Sequence, residues 1–416
     1  MLMINGAFRG IAAGAPVSGG GGATGLLLSL DAGNSGNPLY QYWDFAGSFL
    51  GSFIFSDTDG DHPSSYTGWQ RLGPGVTSSR VLATAQLGTH WFGEYTIPTL
   101  SASTNQNDWP IASLVQGHRS ALNDPSTQPP PLAWDEPRIG GLYYDPSAND
   151  LYVTIIDSYG DVAADYNTVV YTTGDNIAAS SVTGMYNNGG GRHAHGGIIP
   201  IPTEFQASDK LNGTHMVVSG GIMSIDESTT CGISVFVLPT IGSTSAVTAM
   251  DFPVATPMSA LDPEDPGATL GESQMWNHLS CASGAFIYPN TRTLVVVGEN
   301  IDLSVPGNYI IYHAYDDNGD FADGHNPYVH DSWVKYYWLI DIDDLIASIA
   351  NPGANPVNAI VPYEYGPLPT FGIGTWQQKL TGASFDVRDN RLTISAQYGG
   401  SPRFTSCPSQ HCFEVT

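Results

Sequence analysis

The chain has 416 residues, of which 41% are hydrophobic, and this length is sufficient to bury a large core. Only 13 Lys and Arg residues stand against 39 Asp and Glu residues, so the formal net charge is -26. An acidic surface of this kind repels phosphate backbones and anionic lipids, which excludes nucleic acid as an expected partner. No apolar run reaches the roughly 18 residues that a membrane-spanning helix needs, so we expect no membrane insertion.

The composition favours an all-β fold. The chain has 48 Gly and 29 Pro residues, and 11% of its residues are aromatic, whereas good helix formers seldom cluster. Gly and Pro favour turns and aromatic residues favour strands, so this composition is typical of many short strands joined by turns. We therefore expect very little helix.

Residues 1–35 differ from the rest of the chain. They are rich in glycine and show none of the alternation between apolar and polar residues that marks the strands further on. One Arg interrupts the opening stretch and the leucine-rich run comes late, so the usual order of a secretory signal peptide is missing. We predict an N-terminal arm or adaptor over residues 1–35, followed by a β domain over residues 36–416.

Two acidic loops are candidates for calcium sites, and calcium is the only cofactor that the sequence suggests. The loops read S-D-T-D-G-D-H and Y-D-D-N-G-D-F-A-D-G, so oxygen-bearing side chains alternate around a glycine, which suits a hard cation. Neither loop continues to the downstream Glu of a full EF-hand, and an acidic turn without an ion is the alternative. The predicted ligands are Asp57, Asp59, Asp61, Asp316, Asn318, Asp320 and Asp323.

One hairpin pattern recurs three times along the chain. Its copies begin at Gly141, Gly284 and Gly382 and read G-L-Y-Y-D-P-S-A-N-D-L-Y-V, G-A-F-I-Y-P-N-T-R-T-L-V-V and G-A-S-F-D-V-R-D-N-R-L-T-I. Each copy is an alternating strand, a polar turn and a second alternating strand, which predicts a β-hairpin. Residues 79–100, 214–241 and 293–315 follow a related plan of strand, loop and strand.

These hairpins predict a β-propeller. Sheet units that recur along a chain, here about five at intervals of about 60 to 100 residues, cannot bury both faces alone and are stabilised by radial packing. The chain therefore resembles β-propeller repeat proteins with long, decorated blades. We expect five blades, with six or seven as alternatives, and a β-sandwich or a pair of β domains remains the alternative architecture.

The glycine-rich loop N-N-G-G-G-R-H-A-H-G-G brings one arginine and two histidines together. Abstracting a proton beside a sugar carboxylate requires a base that titrates near neutral pH and a cation that neutralises the acid group. In its residue types the loop is similar to propeller polysaccharide lyases, which cleave acidic glycans. That resemblance implies that His193 or His195 is the base and that Arg192 holds the carboxylate. Histidines that only hydrogen-bond to backbone groups are the alternative.

Several histidines stand close to aromatic residues beside predicted turns. Aromatic rings stack on the apolar faces of sugars, so these positions are candidates for a glycan-binding face. Packing between blades is the alternative for the same aromatic residues. The candidate ligand-binding residues are His90, Trp91, Trp276, His278 and His325.

The C-terminal part contains the one helix-like stretch and a pair of nearby cysteines. D-I-D-D-L-I-A-S-I-A-N, residues 341–351, follows the strand W-V-K-Y-Y-W-L-I, and we expect it to cover a connection between blades. The four cysteines are too sparse for a disulfide scaffold, although Cys407 and Cys412 are close enough in sequence for one local bridge.

Two functional classes follow from these observations. The glycine-rich opening without a clear signal peptide, followed by a β module, resembles the layout of phage tail-fibre and other virion structural proteins. That resemblance implies an extracellular or virion location, with the arm docked on a larger protein assembly. We therefore expect a structural attachment protein whose propeller presents a glycan- or receptor-binding face. A carbohydrate-active enzyme, a polysaccharide lyase acting on acidic glycans, is the alternative.

Overall fold

The structure is a computed structural model of the whole chain, and it describes about half of the residues. The described residues are 27–29, 41–43, 47–55, 66–71, 80–85, 91–103, 105–119, 137–157, 168–172, 182–186, 197–220, 231–241, 243, 245–253, 255–263, 273–277, 280–301, 333–368, 380–396 and 409–415.

The described residues form 22 strands and one α-helix, so the prediction of an all-β chain with very little helix is confirmed. A two-stranded sheet pairs β1 Leu27–Ser29 with β2 Gln41–Trp43, and therefore joins the predicted arm to residues beyond it. The next strand along the chain is β3 Gly47–Phe55.

The remaining strands follow one another in groups of antiparallel neighbours, which we number as sheets. Sheet 1 consists of β4 Tyr66–Arg71, β5 Arg80–Ala85, β6 Trp91–Thr96 and β7 Ile111–Arg119. Sheet 2 consists of β8 Pro137–Asp145, β9 Asp150–Asp157, β10 Thr168–Thr172 and β11 Val182–Tyr186. Sheet 3 consists of β12 Gly197–Pro200, β13 His215–Gly220, β14 Ile233–Leu238 and β15 Val247–Met250.

Two further sheets complete the described part of the chain. Sheet 4 consists of β16 Cys281–Ile287, β17 Thr293–Ile301, β18 Trp333–Asp341 and β19 Glu364–Pro367. Sheet 5 consists of β20 Leu380–Asp386, β21 Arg391–Ala396, β22 Ser409–Val415 and, from the other end of the chain, β3. A short parallel pairing of β3 with β7 joins sheets 5 and 1 into one eight-stranded sheet.

The three repeated hairpins are confirmed as β8–β9, β16–β17 and β20–β21. Their turns depend on an asparagine with a positive φ, at Asn149, Asn290 and Asn390. Asparagine tolerates this left-handed conformation better than most residues, which explains why each polar turn contains one. The stretches at 79–100 and 214–241 also form the expected strand pairs. Of the third stretch, 293–315, residues 302–315 lie outside the described part.

The first strands of the five sheets lie against one another in a regular order. Contacts link β4 to β8, β8 to β12, β12 to β16, β16 to β20, and β20 back to β4. At one of these junctions, β16 and β20 approach so closely that a Cβ atom on Gly284 would lie 2.3 Å from the carbonyl oxygen of Ala383. Glycine at this position therefore allows sheets 4 and 5 to meet along their first strands.

Three of the interfaces between successive sheets each contain an apolar cluster. Residues of sheet 2, such as Tyr152, pack on Phe236 of sheet 3, and the opposite face of sheet 3 packs on sheet 4 through residues such as Val235 and Trp338. Sheet 4 in turn packs on sheet 5 in a separate cluster. Strands that are covered on both faces are expected to be continuously apolar, and the I-S-V-F-V-L strand β14 is buried at every position.

The α-helix confirms the prediction for residues 341–351. α1 Ile342–Ala350 begins at Asp341, whose side chain accepts a hydrogen bond from the backbone N–H of Asp343. This is an N-cap interaction, and the acidic first turn also suits the positive end of the helix dipole. Arg292 bridges Asp341 and Asp343 and so ties the helix start to the β16–β17 turn. Among the described helices, none is long and apolar enough to cross a membrane.

Strand β3 is held on both of its edges. One edge pairs with β22, and on the other edge Ser52 exchanges two backbone hydrogen bonds with Ser101, at 2.8 and 3.2 Å. Gly51 makes this possible, because its φ is +142° and a Cβ atom there would lie 2.7 Å from the Cβ of Leu100. The adjacent Phe53 and Ile54 are completely buried.

We expect Gly51→Ala to lower the free energy of unfolding by about 2 kcal/mol or more, because the new methyl group combines backbone strain with a steric clash. Urea unfolding followed by tryptophan fluorescence measures this difference. Gly353→Ala is the matched control, since the nearest atom to its new Cβ is 4.0 Å away, and we expect it to stay within about 0.5 kcal/mol of the wild type. Equal effects of the two substitutions would contradict the proposed role of Gly51.

Candidate functional site

Most of the residues that the sequence singles out lie outside the described part of the chain. This applies to Arg192, His193 and His195, and to His90, His278 and His325. It also applies to all seven predicted calcium ligands, namely Asp57, Asp59, Asp61, Asp316, Asn318, Asp320 and Asp323. The lyase and calcium hypotheses therefore remain predictions. Within the described part of the chain, no group of three or more potential metal ligands occurs.

Two of the predicted residues are described. Trp91 begins β6, so its backbone position is known. Trp276 is 2% exposed, and its ring centroid lies 5.1 Å from that of Trp338, whose indole N–H donates to the carbonyl oxygen of Met275. Trp276 therefore contributes to the core between sheets 3 and 4. For this residue the structure favours packing over a place on a glycan-binding face.

The strand order nevertheless relates the predicted residues to one another. In sequence, all of them except Trp91, the first residue of β6, fall either between the second and third strands of a sheet or between the last strand of one sheet and the first strand of the next. In an antiparallel sheet these connections leave from the end opposite to the turn between the first and second strands. We call the end with the first-to-second-strand turns the turn end, and the other the connection end.

A cluster of aromatic rings lies at the turn end, between sheets 2 and 3. Tyr143 and Tyr152 are direct neighbours across the β8–β9 hairpin, and their rings stack with centroids 5.9 Å apart and planes 12° apart. The ring of His215, at the start of β13, lies 5.9 Å from both tyrosine rings and is tilted towards them. Tyr152 is buried, whereas Tyr143 and His215 are partly exposed.

Two carboxylates flank this aromatic cluster. Asp145 and Asp150 are paired across the hairpin. One oxygen of Asp145 accepts hydrogen bonds from the backbone N–H and the hydroxyl of Ser147, at 2.8 and 2.6 Å, which fixes the turn. Burial raises the pKa of Asp150, and the nearby charge of Asp145 raises it further, while a hydrogen bond with Tyr152 acts in the opposite direction.

An arginine from sheet 5 contributes to the electrostatics of the same place. Arg388 lies in the β20–β21 turn, and its guanidinium donates to both oxygens of Asp386, at 2.8 and 2.7 Å. Burial lowers the pKa of Arg388, but the hydrogen bond and charge of Asp386, with smaller effects of Asp389 and Tyr144, outweigh it and raise the pKa. Its charge also acts on the pKa of Tyr143, as the smallest of the influences on that group.

Burial and the neighbouring charges fix the protonation states of the Tyr143 and His215 rings. Burial lowers the pKa of His215 to about 4, an effect that the charge of Asp145 only partly offsets. Burial also raises the pKa of Tyr143, and the charges of Asp145 and Tyr152 act in the same direction. At neutral pH both rings are therefore uncharged. The cluster offers aromatic faces and hydrogen-bonding groups beside acidic side chains.

Buried polar groups also occur at the connection end of sheets 4 and 5. Glu299 is 1% exposed, and one of its oxygens lies 3.7 Å from Nζ of Lys335 and accepts from the backbone N–H of Leu380 at 2.7 Å. Beside it, Asn300 binds the side chains of Asn277 and Ser280. These interactions join sheet 4 to the first strand of sheet 5 and fix the start of β20.

Sequence reasoning did not identify the aromatic cluster as a site. In the sequence, Tyr143, Asp145 and Asp150 are recognisable only as residues of the first repeated hairpin, and no pattern marks His215. The cross-strand pairing of Tyr143 with Tyr152 could have been found from the hairpin register, because residues that face each other across a turn are fixed by its length. The position of His215 could not, since it depends on how sheet 3 packs on sheet 2.

Comparisons with known proteins do not assign this chain to a family. No family matches its sequence, and no curated protein is similar to it. Among solved structures, the chain is similar to Raptor of Chaetomium thermophilum, with a TM-score of 0.33 and 9% sequence identity. The match covers 89% of this chain and 29% of that one. A similarity at this level carries no functional information.

The lowered pKa of His215 predicts a specific loss of stability in acid. The unfolded chain binds a proton at His215 near pH 6.5 and the folded chain only near pH 4, so this stabilisation is present above pH 6.5 and is lost as the pH falls towards 4. We expect the wild type to lose about 3 kcal/mol more than His215→Gln between pH 7.5 and pH 4. Denaturant unfolding at several pH values measures the difference. Parallel stability curves for the two proteins would contradict the assignment.

Proposed function

We propose that the five sheets form a closed five-bladed β-propeller. The order of contacts among the first strands supports this, because it runs through all five sheets and returns to β4. The composition of sheet 5 supports it as well, since three C-terminal strands are completed by β3 from the N-terminal part of the chain. In a propeller, a sheet built from strands of both ends of the chain joins the last blade to the first, so that the ring of blades has no gap.

We propose further that the chain is an attachment-type protein, which binds a glycan or receptor without transforming it. The observation that carries this proposal is the cluster between sheets 2 and 3, where the rings of Tyr143 and His215 lie close together beside Asp150 and the pKa of each of these three groups is perturbed. Such convergence is characteristic of functional sites. Partly exposed aromatic rings beside carboxylates are also the combination that sugar rings and their hydroxyl groups require.

The protonation states favour binding over catalysis at this junction. A general base that works near neutral pH needs a pKa close to 7, whereas the pKa of His215 is about 4 and that of Tyr143 is raised. Neither group is suited to abstract a proton from a uronate. The neighbouring carboxylates, in a chain with a net charge of -26, also favour a neutral or cationic ligand over an acidic glycan.

The amino-acid composition of the arm supports a role in assembly. Residues 1–30 contain no Asp or Glu, although the whole chain has 39 of them. This segment therefore lacks the charge that would oppose docking to an acidic surface. On the proposed function, the arm attaches the protein to a larger structure such as a virion, and the propeller presents its binding face to the outside.

We expect Tyr143→Leu and Asp150→Asn each to weaken glycan binding at least tenfold, because they remove a stacking ring and a charged acceptor. A glycan array followed by calorimetry on the best ligand measures the change. Tyr288→Leu is the matched control, since Tyr288 occupies the corresponding hairpin of sheet 4 and lies outside the cluster. His195→Ala and Arg192→Ala test the connection end of the sheets.

Each alternative outcome has a distinct meaning. Loss of binding in His195→Ala but not in Tyr143→Leu would contradict the assignment to the turn end. Ultraviolet absorbance of an unsaturated uronide, appearing with an acidic glycan and disappearing in His195→Ala, would establish the lyase instead. Failure to bind any glycan on the array would rule out the glycan version of the proposal.

A further inference from the structure

The hairpin of sheet 2 gathers two tyrosines and two aspartates on one face. Side chains alternate between the two faces of a strand, so Tyr143 shares a face with Asp145 on β8, and Asp150 shares a face with Tyr152 on β9. The register pairs Tyr143 with Tyr152 and Asp145 with Asp150, which places all four side chains on the same face of the hairpin. His215 of sheet 3 lies against the tyrosine rings, so this face carries the aromatic cluster.

The two aspartates are like charges placed directly opposite each other, an arrangement that destabilises a sheet. Burial raises the pKa of Asp150, and the charge of Asp145 raises it further. Within the described residues, neither carboxylate forms an ion pair with a lysine or an arginine. Oδ1 of Asp145 accepts hydrogen bonds from Ser147 and Ala148 in the turn, and no described residue donates to its Oδ2. The described part of the protein therefore leaves this negative charge without a counter-ion.

The other two repeated hairpins do not contain such a pair of charges. In sheet 5 the corresponding residues are Asp386 and Arg391, which carry opposite charges, and Arg388 binds both oxygens of Asp386. In sheet 4 the corresponding residues are Tyr288 and Thr293, neither of which is a carboxylate. The repeated hairpin therefore forms without opposed carboxylates, and the acid pair of sheet 2 is not explained by the fold.

The rings beside the acid pair indicate an occupant that combines a positive charge with an apolar face. Tyr143 and His215 are partly exposed, and aromatic rings both attract cations and stack on the apolar faces of sugars. Carboxylates form strong, charge-assisted hydrogen bonds with ammonium groups. A sugar with a protonated amino group has both properties. A calcium ion is a poorer match, because it takes about six to eight oxygen ligands and has no use for the rings.

We propose that the ligand of the aromatic cluster is a glycan with free amino groups, whose protonated amine lies between Asp145 and Asp150 while its sugar ring stacks on Tyr143. This inference rests on the proposed function, which requires only a glycan or receptor, and it specifies the chemical class of the ligand. The same arrangement disfavours uronic acids and sulfated sugars, because their negative charge would add to that of the acid pair.

Calorimetry of the full chain with matched oligosaccharides tests the inference. One oligosaccharide carries free amino groups and the other is its N-acetylated form, in both the glucosamine and the galactosamine series, so that each pair shares its sugar ring and linkage but differs in charge. In a buffer of about pH 6 the amines are protonated, while His215, whose pKa is about 4, remains neutral. We expect one free-amino form to bind at least tenfold more tightly than its N-acetylated form, because only the amine carries a charge for the acid pair.

Substitutions at the acid pair locate the amine. Asp145→Asn and Asp150→Asn should each reduce the preference for the free-amino form to about threefold or less and leave binding of the N-acetylated form nearly unchanged. Asparagine retains an oxygen that can accept from the backbone N–H of Ser147, so the turn is preserved. Asp209→Asn is the matched control, since it removes the same charge from an exposed residue at the turn end, between β12 and β13. This control should keep the full preference, and circular dichroism verifies that each variant is folded.

The outcomes separate this inference from the proposed function. Equal or tighter binding of the N-acetylated form, lost in Tyr143→Leu, overturns the inference and leaves the proposed function intact. A preference for the amine that persists in both Asp145→Asn and Asp150→Asn, or that Asp209→Asn removes equally, overturns the inference as well. If no form in either series binds, the inference fails, and the glycan array decides the proposed function independently.

Discussion

The pairing of β3 with β22 is the interaction on which the rest of the architecture depends. It joins residues near position 50 to residues near position 412, and without it sheet 5 would have three strands and no hydrogen-bonded strand pairing with sheet 1. The backbone hydrogen bonds between Ser52 and Ser101 hold the opposite edge of β3, and Gly51 allows that close approach. Contacts between the first strands β20 and β4 bring sheets 5 and 1 together at a second place.

Electrostatics gives the protein its second constraint. With 13 cationic side chains and 39 acidic ones, cations are scarce, and the described structure uses several of them inside or between sheets. Lys335 lies beside Glu299, Arg292 binds Asp341 and Asp343, and Arg388 binds Asp386. A buried pair of this kind contributes more to a unique arrangement than to net stability, because desolvation offsets much of the attraction. Most of the 39 acidic side chains therefore have no cation to pair with.

Local structure was predictable from the sequence, and long-range structure was not. The three hairpins and the helix after Asp341 follow from alternation, turn residues and an N-cap, all of which act within about a dozen residues of sequence. The role of β3 could not be predicted, because the sequence G-S-F-L-G-S-F-I-F does not indicate that its partner lies at the other end of the chain.

The candidate site shows the same division: Tyr143 and Tyr152 meet through a hairpin, whereas His215 and Arg388 join them only through the packing of separate sheets. For Trp276 the sequence leaves a ligand-binding face and core packing open, because a tryptophan beside a histidine has the same pattern in both, and its burial places it in the core.

On the proposed propeller, the pairing of β3 with β22 links fold and function, because it joins the two ends of the ring of sheets that carries the candidate site. The most direct test compares thermal unfolding of two truncated chains, one lacking residues 1–35 and the other lacking residues 1–55. The first retains β3 and should unfold as cooperatively as the full chain. The second loses β3, including the fully buried Phe53 and Ile54, and should show no cooperative unfolding transition. A chain without residues 1–55 that unfolded as sharply and at the same temperature as the full chain would contradict this account.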